Sequence, residues 1–337
     1  MPRVIRMGTF PTILLTGAGG AAIPFLIESL RNQGCRILAA DMDPFASGLL
    51  LADKGFIIPK ADAPAFSQAI EKICKTESVD IIIPLVDEEL ITVSELQLGN
   101  TIALLPRTDF IRTCLDKYAL IQELKRCRIP APNTILANDD SADIIFPCIV
   151  KPRTGRGSRN VEIIQTKADY NIWKSHFGDI SEKFILQDYL PGTEYTVSVV
   201  AWRDGRVQAV VPKEILVKKG ITRLAVTRYQ KEIDEYCRSI QKHLKADGPF
   251  NVQLRCDTES GNPQLFEINP RFSTTVSLTT MAGIDELYGL VMQALKGPDA
   301  YHFGEWKEGI VLMRHYQDTC VSGFVFEQMK SNIMHVR

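Results

Sequence analysis

The chain has 337 residues, a hydrophobic fraction of 45% and a formal charge of −1, which suits two or three domains with sizeable cores and excludes nucleic-acid binding through a broad basic surface. No segment approaches the roughly twenty apolar residues of a membrane span. The eight cysteines form no Cys-x-x-Cys pair and are expected as reduced thiols of a cytoplasmic protein, and the histidines show no pattern that would carry catalysis.

Arg3 and Arg6 precede an apolar run, but Ile13-Leu14-Leu15 passes at once into Thr16-Gly17-Ala18-Gly19-Gly20, a strand and a glycine turn rather than a signal peptide. A flexible tail is expected before Pro11. From Thr12 to about Leu105, strand and helix signals alternate as in a parallel Rossmann-like sheet. Strands are expected at Ile13 to Leu15, Arg36 to Ala40, Gly55 to Ile58, Ile81 to Pro84 and Thr101 to Leu105. Helices should cover Ala22 to Asn32, Ala63 to Thr76 and Glu88 to Gln97. The glycine turn, with Asp41 after the second strand, invites a dinucleotide reading, yet the third glycine is missing from its usual offset. Asp87, Glu88 and Glu89 lie past the strand that ends near Pro84, where open α/β sheets place ligands; helix capping by Asp87 is the competing reading.

A smaller unit follows, with strands at Ile144 to Lys151, Asn160 to Ile164 and Phe184 to Asp188 and a helix near Lys167 to Phe177. Its first strand runs through Lys151 into Arg153-Thr154-Gly155-Arg156-Gly157-Ser158-Arg159-Asn160. Glycines let backbone N–H groups approach anionic oxygens, Ser158 adds a donor and Lys151 a point charge, so the loop suits a triphosphate. It is not a Walker loop, because no Gly-Lys-Ser/Thr follows. Next, Lys183 to Val200 reads as strand, connector and strand, broken at Pro191-Gly192. Such a connector offers a backbone donor and acceptor to an adenine edge, and Glu194 suits ribose hydroxyls. A second basic cluster, Lys213 to Arg228, fits either a companion to this anionic site or a solvated face.

The most specific segment comes late. Gln253 and Glu267 stand far enough apart for two strands around the turn Glu259-Ser260-Gly261-Asn262-Pro263. Alternation then puts Glu267 and Asn269 on one face, giving oxygen ligands of the kind Mg²⁺ takes beside nucleotide phosphates and water. Arg271 extends the row toward a phosphate. Asp257, on the face shared with Gln253, is a substitute ligand for one ion.

Taken in order, the cationic glycine-rich hairpin, the Gln187-x-x-Leu190 connector with Glu194, and the Gln253…Glu267-x-Asn269-Pro270-Arg271 hairpin resemble the ATP-grasp superfamily. The similarity is to its carbamoyl-phosphate-synthase-like and carboxylate–amine ligase branches, and spans about Thr12 to Gly297. It extends to Lys117 on a helix that leads through Ile129-Pro130-Ala131-Pro132 into the small unit. The resemblance implies an α/β fold with an N-terminal Rossmann-like parallel-sheet domain over about residues 12–110 and an ATP-grasp domain over about 111–300. Within the latter, a small α+β lid would run from about 125 to 190, followed by a larger α+β C-terminal lobe. Residues 301–337 would extend that lobe.

It implies that Lys117 and Lys151 meet the ATP phosphates under a flap from Arg153 to Asn160, including Gly155, Gly157 and Ser158. Gln187 would place its side chain near the adenine, backbone groups of Asp188 and Leu190 would read the base, and Glu194 would hold the ribose. Gln253 and Glu267 would bind one Mg²⁺, Glu267 and Asn269 a second, with Mn²⁺ as a substitute; Arg271 would steady the transferred phosphoryl group or acyl phosphate. Asn160 replaces a flap glycine of relatives, tolerable because Asn enters left-handed backbone. The neutral Gln253 replaces the carboxylate of many relatives, as in the synthase-like branch. The implied reaction couples a small-molecule carboxylate to an amine through an acyl phosphate, with a homodimer compatible and no nucleic-acid or membrane partner. Phosphorylation of bicarbonate or carbamate, and a non-catalytic ATP sensor, are the alternatives.

Overall fold

A computed structural model describes residues 10–139, 144–155, 157, 159–177, 182–315, 318 and 320–336. The expected tail before Pro11 lies almost wholly outside them. Three sheets divide the chain. The first is a parallel six-stranded sheet, built from β1 (Thr12–Thr16), β2 (Arg36–Asp41), β3 (Lys54–Ile57), β4 (Ile81–Ile83) and β5 (Ile102–Ala103), with a last strand from the far end of the chain. Its central strands are apolar runs buried along their length, as befits a parallel sheet covered on both faces. Helices α1 (Ile23–Asn32), α2 (Ser47–Leu51), α3 (Ala65–Thr76) and α4 (Asp87–Glu95) connect them, and α5 (Thr108–Leu115) and α6 (Lys117–Arg126) lead out of this domain.

A lid sheet follows, in the order β6-β9-β7-β8, from β6 (Thr134–Leu136), β7 (Cys148–Pro152), β8 (Glu162–Ile164) and β9 (Phe184–Asp188), with α7 (Lys167–Phe177) on it. Ile164, Tyr170, Trp173, Phe184 and Leu186 form its own small core. The large antiparallel sheet has the order β14-β13-β10-β11-β12-β15. Its strands are β10 (Thr193–Ala201), β11 (Val207–Lys219), β12 (Ile221–Thr227), β13 (Phe250–Cys256), β14 (Pro263–Asn269) and β15 (Val311–Met313). One face packs on α5, α6 and α8 (Lys231–Leu244) through Phe110, Leu120, Leu124, Ile240 and Phe250. The other shares a core with the N-terminal sheet, where Val200, Trp202 and Val211 join Ile13, Leu15 and α1. α9 (Val276–Met281) and α10 (Glu286–Lys296) adjoin this core through Val276, Leu287 and Leu290. Each such fully buried aliphatic side chain stabilises the packing by about 1.5–3 kcal/mol.

Residues 301–337 depart from the expected extension of the C-terminal lobe. β15 does join the large sheet, but α11 (Gly323–Ser331) and β16 (Ile333–His335) return to the N-terminal domain, where β16 pairs in parallel with β3. Val336 fills the core under α3 beside Phe56 and Phe66, an apolar anchor that favours this docking.

The second basic cluster proves to be neither one site nor one face. β11 and β12 pair through it, and strand alternation separates its members. Lys213 is wholly buried, donating to Ser198 Oγ (2.7 Å) and Thr279 Oγ1 (2.8 Å), and Ser198 Oγ donates to Glu286 Oε1 (2.7 Å). Burial pulls the Lys213 ammonium down to about 8 and pushes the Glu286 carboxyl up. This network ties β10 and β11 to α9 and α10.

Candidate active site

A cavity of about 650 Å³ lies between the lid and the large sheet. β7 carries Lys151 into it, and the neighbouring strand β9 supplies Gln187. Lys151 Nζ donates to Gln187 Oε1 (2.8 Å) and to the Phe266 carbonyl (3.1 Å), while Gln187 Nε2 donates to Thr134 Oγ1 (2.9 Å). Both ends of the Gln187 amide are therefore engaged, and its side chain positions Lys151 rather than reaching for a base. Burial pulls the Lys151 ammonium down to about 8, with Glu267 opposing the fall and Lys117 and Lys218 adding to it.

The hairpin opposite has the register its spacing predicts: Gln253 pairs with Glu267 and Asn251 with Asn269, with a bulge just past Gln253. Gln253 and Glu267 both face the cavity. Glu267 Oε1 lies 3.3 Å from Lys117 Nζ, which also donates to the Gly155 carbonyl (2.8 Å). Asp116 fixes that lysine's helix by accepting the N–H groups of Tyr118 and Ala119 (both 3.1 Å). Lys117 therefore joins the flap to the hairpin.

At the other end, Glu194 Oε1 accepts from Lys218 Nζ (2.6 Å) and Glu194 Oε2 from Arg255 Nη2 (3.3 Å). Tyr189, Leu190, Ile149, Ile163 and Phe266 supply apolar wall. Gly192, at φ +95°, lets the connector pass so close to β13 that an added Cβ would lie 2.0 Å from the Cys256 carbonyl oxygen. Asp188 lines the cavity, but its N–H donates to the Asn133 carbonyl (3.0 Å). Of the backbone groups of Asp188 and Leu190 expected to read an adenine edge, the Asp188 N–H is therefore spent within the sheet, and that part falls to the rest of the connector.

Other expected residues are placed differently. Arg153 does not line the cavity: its guanidinium grips Asp116 (2.6–2.9 Å) and anchors the flap to the start of α6. Gly155 and Gly157 line the cavity, Asn160 has φ +54°, and Ser158 lies outside the described residues. Asn269 is buried beneath the hairpin, sharing hydrogen bonds with Asn251 and Arg271. Asp257 accepts from Glu259 N and from the N–H and hydroxyl of Ser260 (2.8–3.1 Å), so it shapes the turn instead of a metal site.

Arg271 faces a second cavity, of about 630 Å³, at the carboxyl ends of the N-terminal strands. Arg271 Nε donates to Asp87 Oδ1 (2.6 Å). Asp87 is the first residue of α4, with no side-chain cap bond at that end, so its carboxylate serves this ion pair and the capping reading falls. Glu88 and Arg159 line both cavities, which therefore adjoin. Lys218, Arg159 and Phe266 were not picked out from the sequence. Lys218 and Arg159 lie in runs of cations that look alike, and Phe266 looks like ordinary core.

Comparison with known proteins agrees with this geometry. A family described as ATP-grasp in the biosynthetic pathway with Ter operon matches residues 181–317, which hold the connector, Glu194 and the paired hairpin. Those residues belong to the ATP-grasp superfamily. Residues 13–100 match a second family, the PylC-like N-terminal domain. A formate-dependent phosphoribosylglycinamide formyltransferase of Sulfurisphaera tokodaii is 23% identical over 81% of this chain and 72% of its own. A carbamoyl phosphate synthase large chain of Halomonas eurihalina is 24% identical over 80% of this chain but only 28% of its own. Among solved structures, N5-carboxyaminoimidazole synthetase from Staphylococcus aureus complexed with ADP shares the fold with a TM-score of 0.72 at 18% identity, over 87% of this chain and 79% of that one. Among the described residues, no helix is long and apolar enough to cross a membrane.

Proposed function

We propose that the protein is an ATP-dependent ligase that activates a small-molecule carboxylate as an acyl phosphate and couples it to an amine. The observation that carries this reading is the convergence of Lys117, Lys151, Gln253 and Glu267 on one cavity that adjoins a second. ATP occupies the first cavity, with its base against Ile149, Leu190 and Phe266, its ribose at Glu194 and its phosphates toward Lys151 and Lys117. The acceptor substrates occupy the second. Gln253 and Glu267 fit Mg²⁺, since they are directly paired hard oxygen donors beside a phosphate site. Among the described residues no cluster of three or more His, Cys, Asp or Glu could hold a metal alone, which suits an ion that takes its remaining ligands from phosphate and water. Asn269 Oδ1 already accepts from Arg271 Nη2 (3.3 Å), so a second ion would share that oxygen. When bound, the ions neutralise charge that develops on the phosphates.

The chain itself does little covalent work. Lys117 and Lys151 offset the triphosphate charge, and the flap excludes water from the acyl phosphate. A substrate carboxylate oxygen attacks the γ-phosphorus and the bond to ADP breaks. The amine nitrogen then attacks the acyl carbon, phosphate leaves and the nitrogen loses its proton. Arg271, steadied by Asp87 on the side of the second cavity, holds the acyl phosphate oxygens. The neutral Gln253 favours, as a second reading, phosphorylation of bicarbonate or carbamate. Release of ADP and phosphate from Mg-ATP, measured with pooled acids and amines and separately with bicarbonate, tests both. Release in neither arm would leave only an ATP sensor.

A further inference from the structure

On the ligase reading, the γ-phosphoryl group leaves ATP in the first cavity and reaches the acid in the second, so it crosses where the two adjoin. Two residues line both cavities, Glu88 and Arg159. Glu88 belongs to the first turn of α4, whereas Arg159 comes from the flap. Left-handed backbone at Gly157 (φ +73°) and Asn160 (φ +54°) turns the flap on either side of it. Further along, Val161 and Ile163 line the first cavity, so this edge of the lid faces the nucleotide and Arg159 stands where that edge meets the second cavity.

Charge singles out the same residue. Among the described residues, most cations that line the two cavities already have a carboxylate. Lys117 pairs with Glu267 (3.3 Å), Lys218 (2.6 Å) and Arg255 (3.3 Å) with Glu194, Lys60 with Asp62 (2.7 Å) and Arg271 with Asp87 (2.6 Å). Lys151 has no ion pair, but it lines only the first cavity and donates to Gln187 and the Phe266 carbonyl. Arg159 is exposed, has neither an ion pair nor a hydrogen bond among the described residues, and lines both. Arg271 still has N–H groups to present to an acyl phosphate, yet Asp87 offsets its charge. Arg159 brings an uncompensated charge and a planar fork that matches phosphate oxygens.

We infer that Arg159 is a catalytic residue of the ligation, holding the γ-phosphoryl group by its non-bridging oxygens as it passes from ATP to the substrate carboxylate. The bond from phosphorus to the ADP oxygen breaks and one to the carboxylate oxygen forms, while Arg159 makes no covalent bond and keeps its protons. It stabilises the charge spread over the oxygens of the group in transit. Because it rides on the flap, that charge arrives only as the flap covers the phosphates.

The test is calorimetric titration of the full chain and of Arg159→Met in Mg²⁺. The probes are ADP, the non-hydrolysable β,γ-imido ATP analogue, and ADP with aluminium fluoride as a mimic of the phosphoryl group in transit. Arg159→Met should leave the Kd for ADP and the Tm unchanged, since ADP lacks the group and the side chain holds nothing in the fold. It should weaken the ATP analogue and the fluoroaluminate complex by about ten- to a hundredfold, the effect of losing hydrogen bonds between charged groups. Equal loss for ADP and for the other two would overturn the inference, making Arg159 a general nucleotide contact. No loss for any of them would overturn it too, leaving a solvated side chain. The wild type separates the two levels: if it binds Mg-ADP and the variant matches it with every probe, only the role of Arg159 is wrong, and if the wild type binds no nucleotide, the ligase reading fails as well.

Discussion

Raising the pH should weaken ATP binding through Lys151. In the nucleotide-free protein, burial brings this ammonium from its ordinary 10.5 to about 8, which corresponds to about 3 kcal/mol of lost preference for the charged form. A triphosphate needs that charge and returns its stabilisation to it, so binding takes up a proton wherever the free protein has lost one. With a pKa of about 8 free and about 10.5 or more bound, the Kd for Mg-ATP should rise roughly twentyfold between about pH 7.5 and about pH 9.5. Stability of the free protein moves oppositely. Over the window from about 8 to 10.5 the unfolded chain binds more protons at this lysine than the folded one, so this group favours folding as pH rises. Calorimetry in two buffers of different ionisation heat reads the proton uptake directly, and Lys151→Met should bind weakly with a flatter pH profile. A pH-independent Kd with no buffer-dependent heat would refute the reasoning.

Other outcomes follow from the same geometry. Glu267→Gln, near-isosteric, should lower kcat for ADP release by roughly a hundredfold or more with a small change in KM, whereas Glu194→Gln should chiefly raise KM for ATP; steady-state kinetics separate them. Gly192→Ala, with its Cβ 2.0 Å from the Cys256 carbonyl oxygen, should destabilise the fold by about 2 kcal/mol or more in urea denaturation. Lys213→Met should cost about 3–5 kcal/mol because it strands the buried Glu286, and much of that should return in Lys213→Met/Glu286→Leu. Amide exchange between Arg153 and Asn160 should slow when the ATP analogue binds; unchanged exchange would count against the flap.

The parts of the site legible in the sequence are those fixed by short-range geometry. A hairpin turn with Gly261, Asn262 and Pro263 sets the register that pairs Gln253 with Glu267, and glycine spacing after Lys151 marks the flap. What escaped is decided across distance. Nothing local says that Arg271 will meet Asp87, 184 positions away, or that Gln187 will spend its amide on Lys151 and Thr134. Lys213 and Lys218 are the same residue type on one strand, yet one is buried in a hydroxyl network and the other lies on Glu194. Only the path of β11 between two neighbouring strands distinguishes them.

The return of β16 to the edge of the first sheet bears on how the chain is made. Its partner β3 is synthesised early, so while the polypeptide emerges that edge waits with unpaired backbone groups until Ile333 to His335 arrive. That sheet is thus begun long before its edge is closed, and a ribosome stalled before Ile333 would hold a nascent chain with an open strand available to chaperones or to another copy.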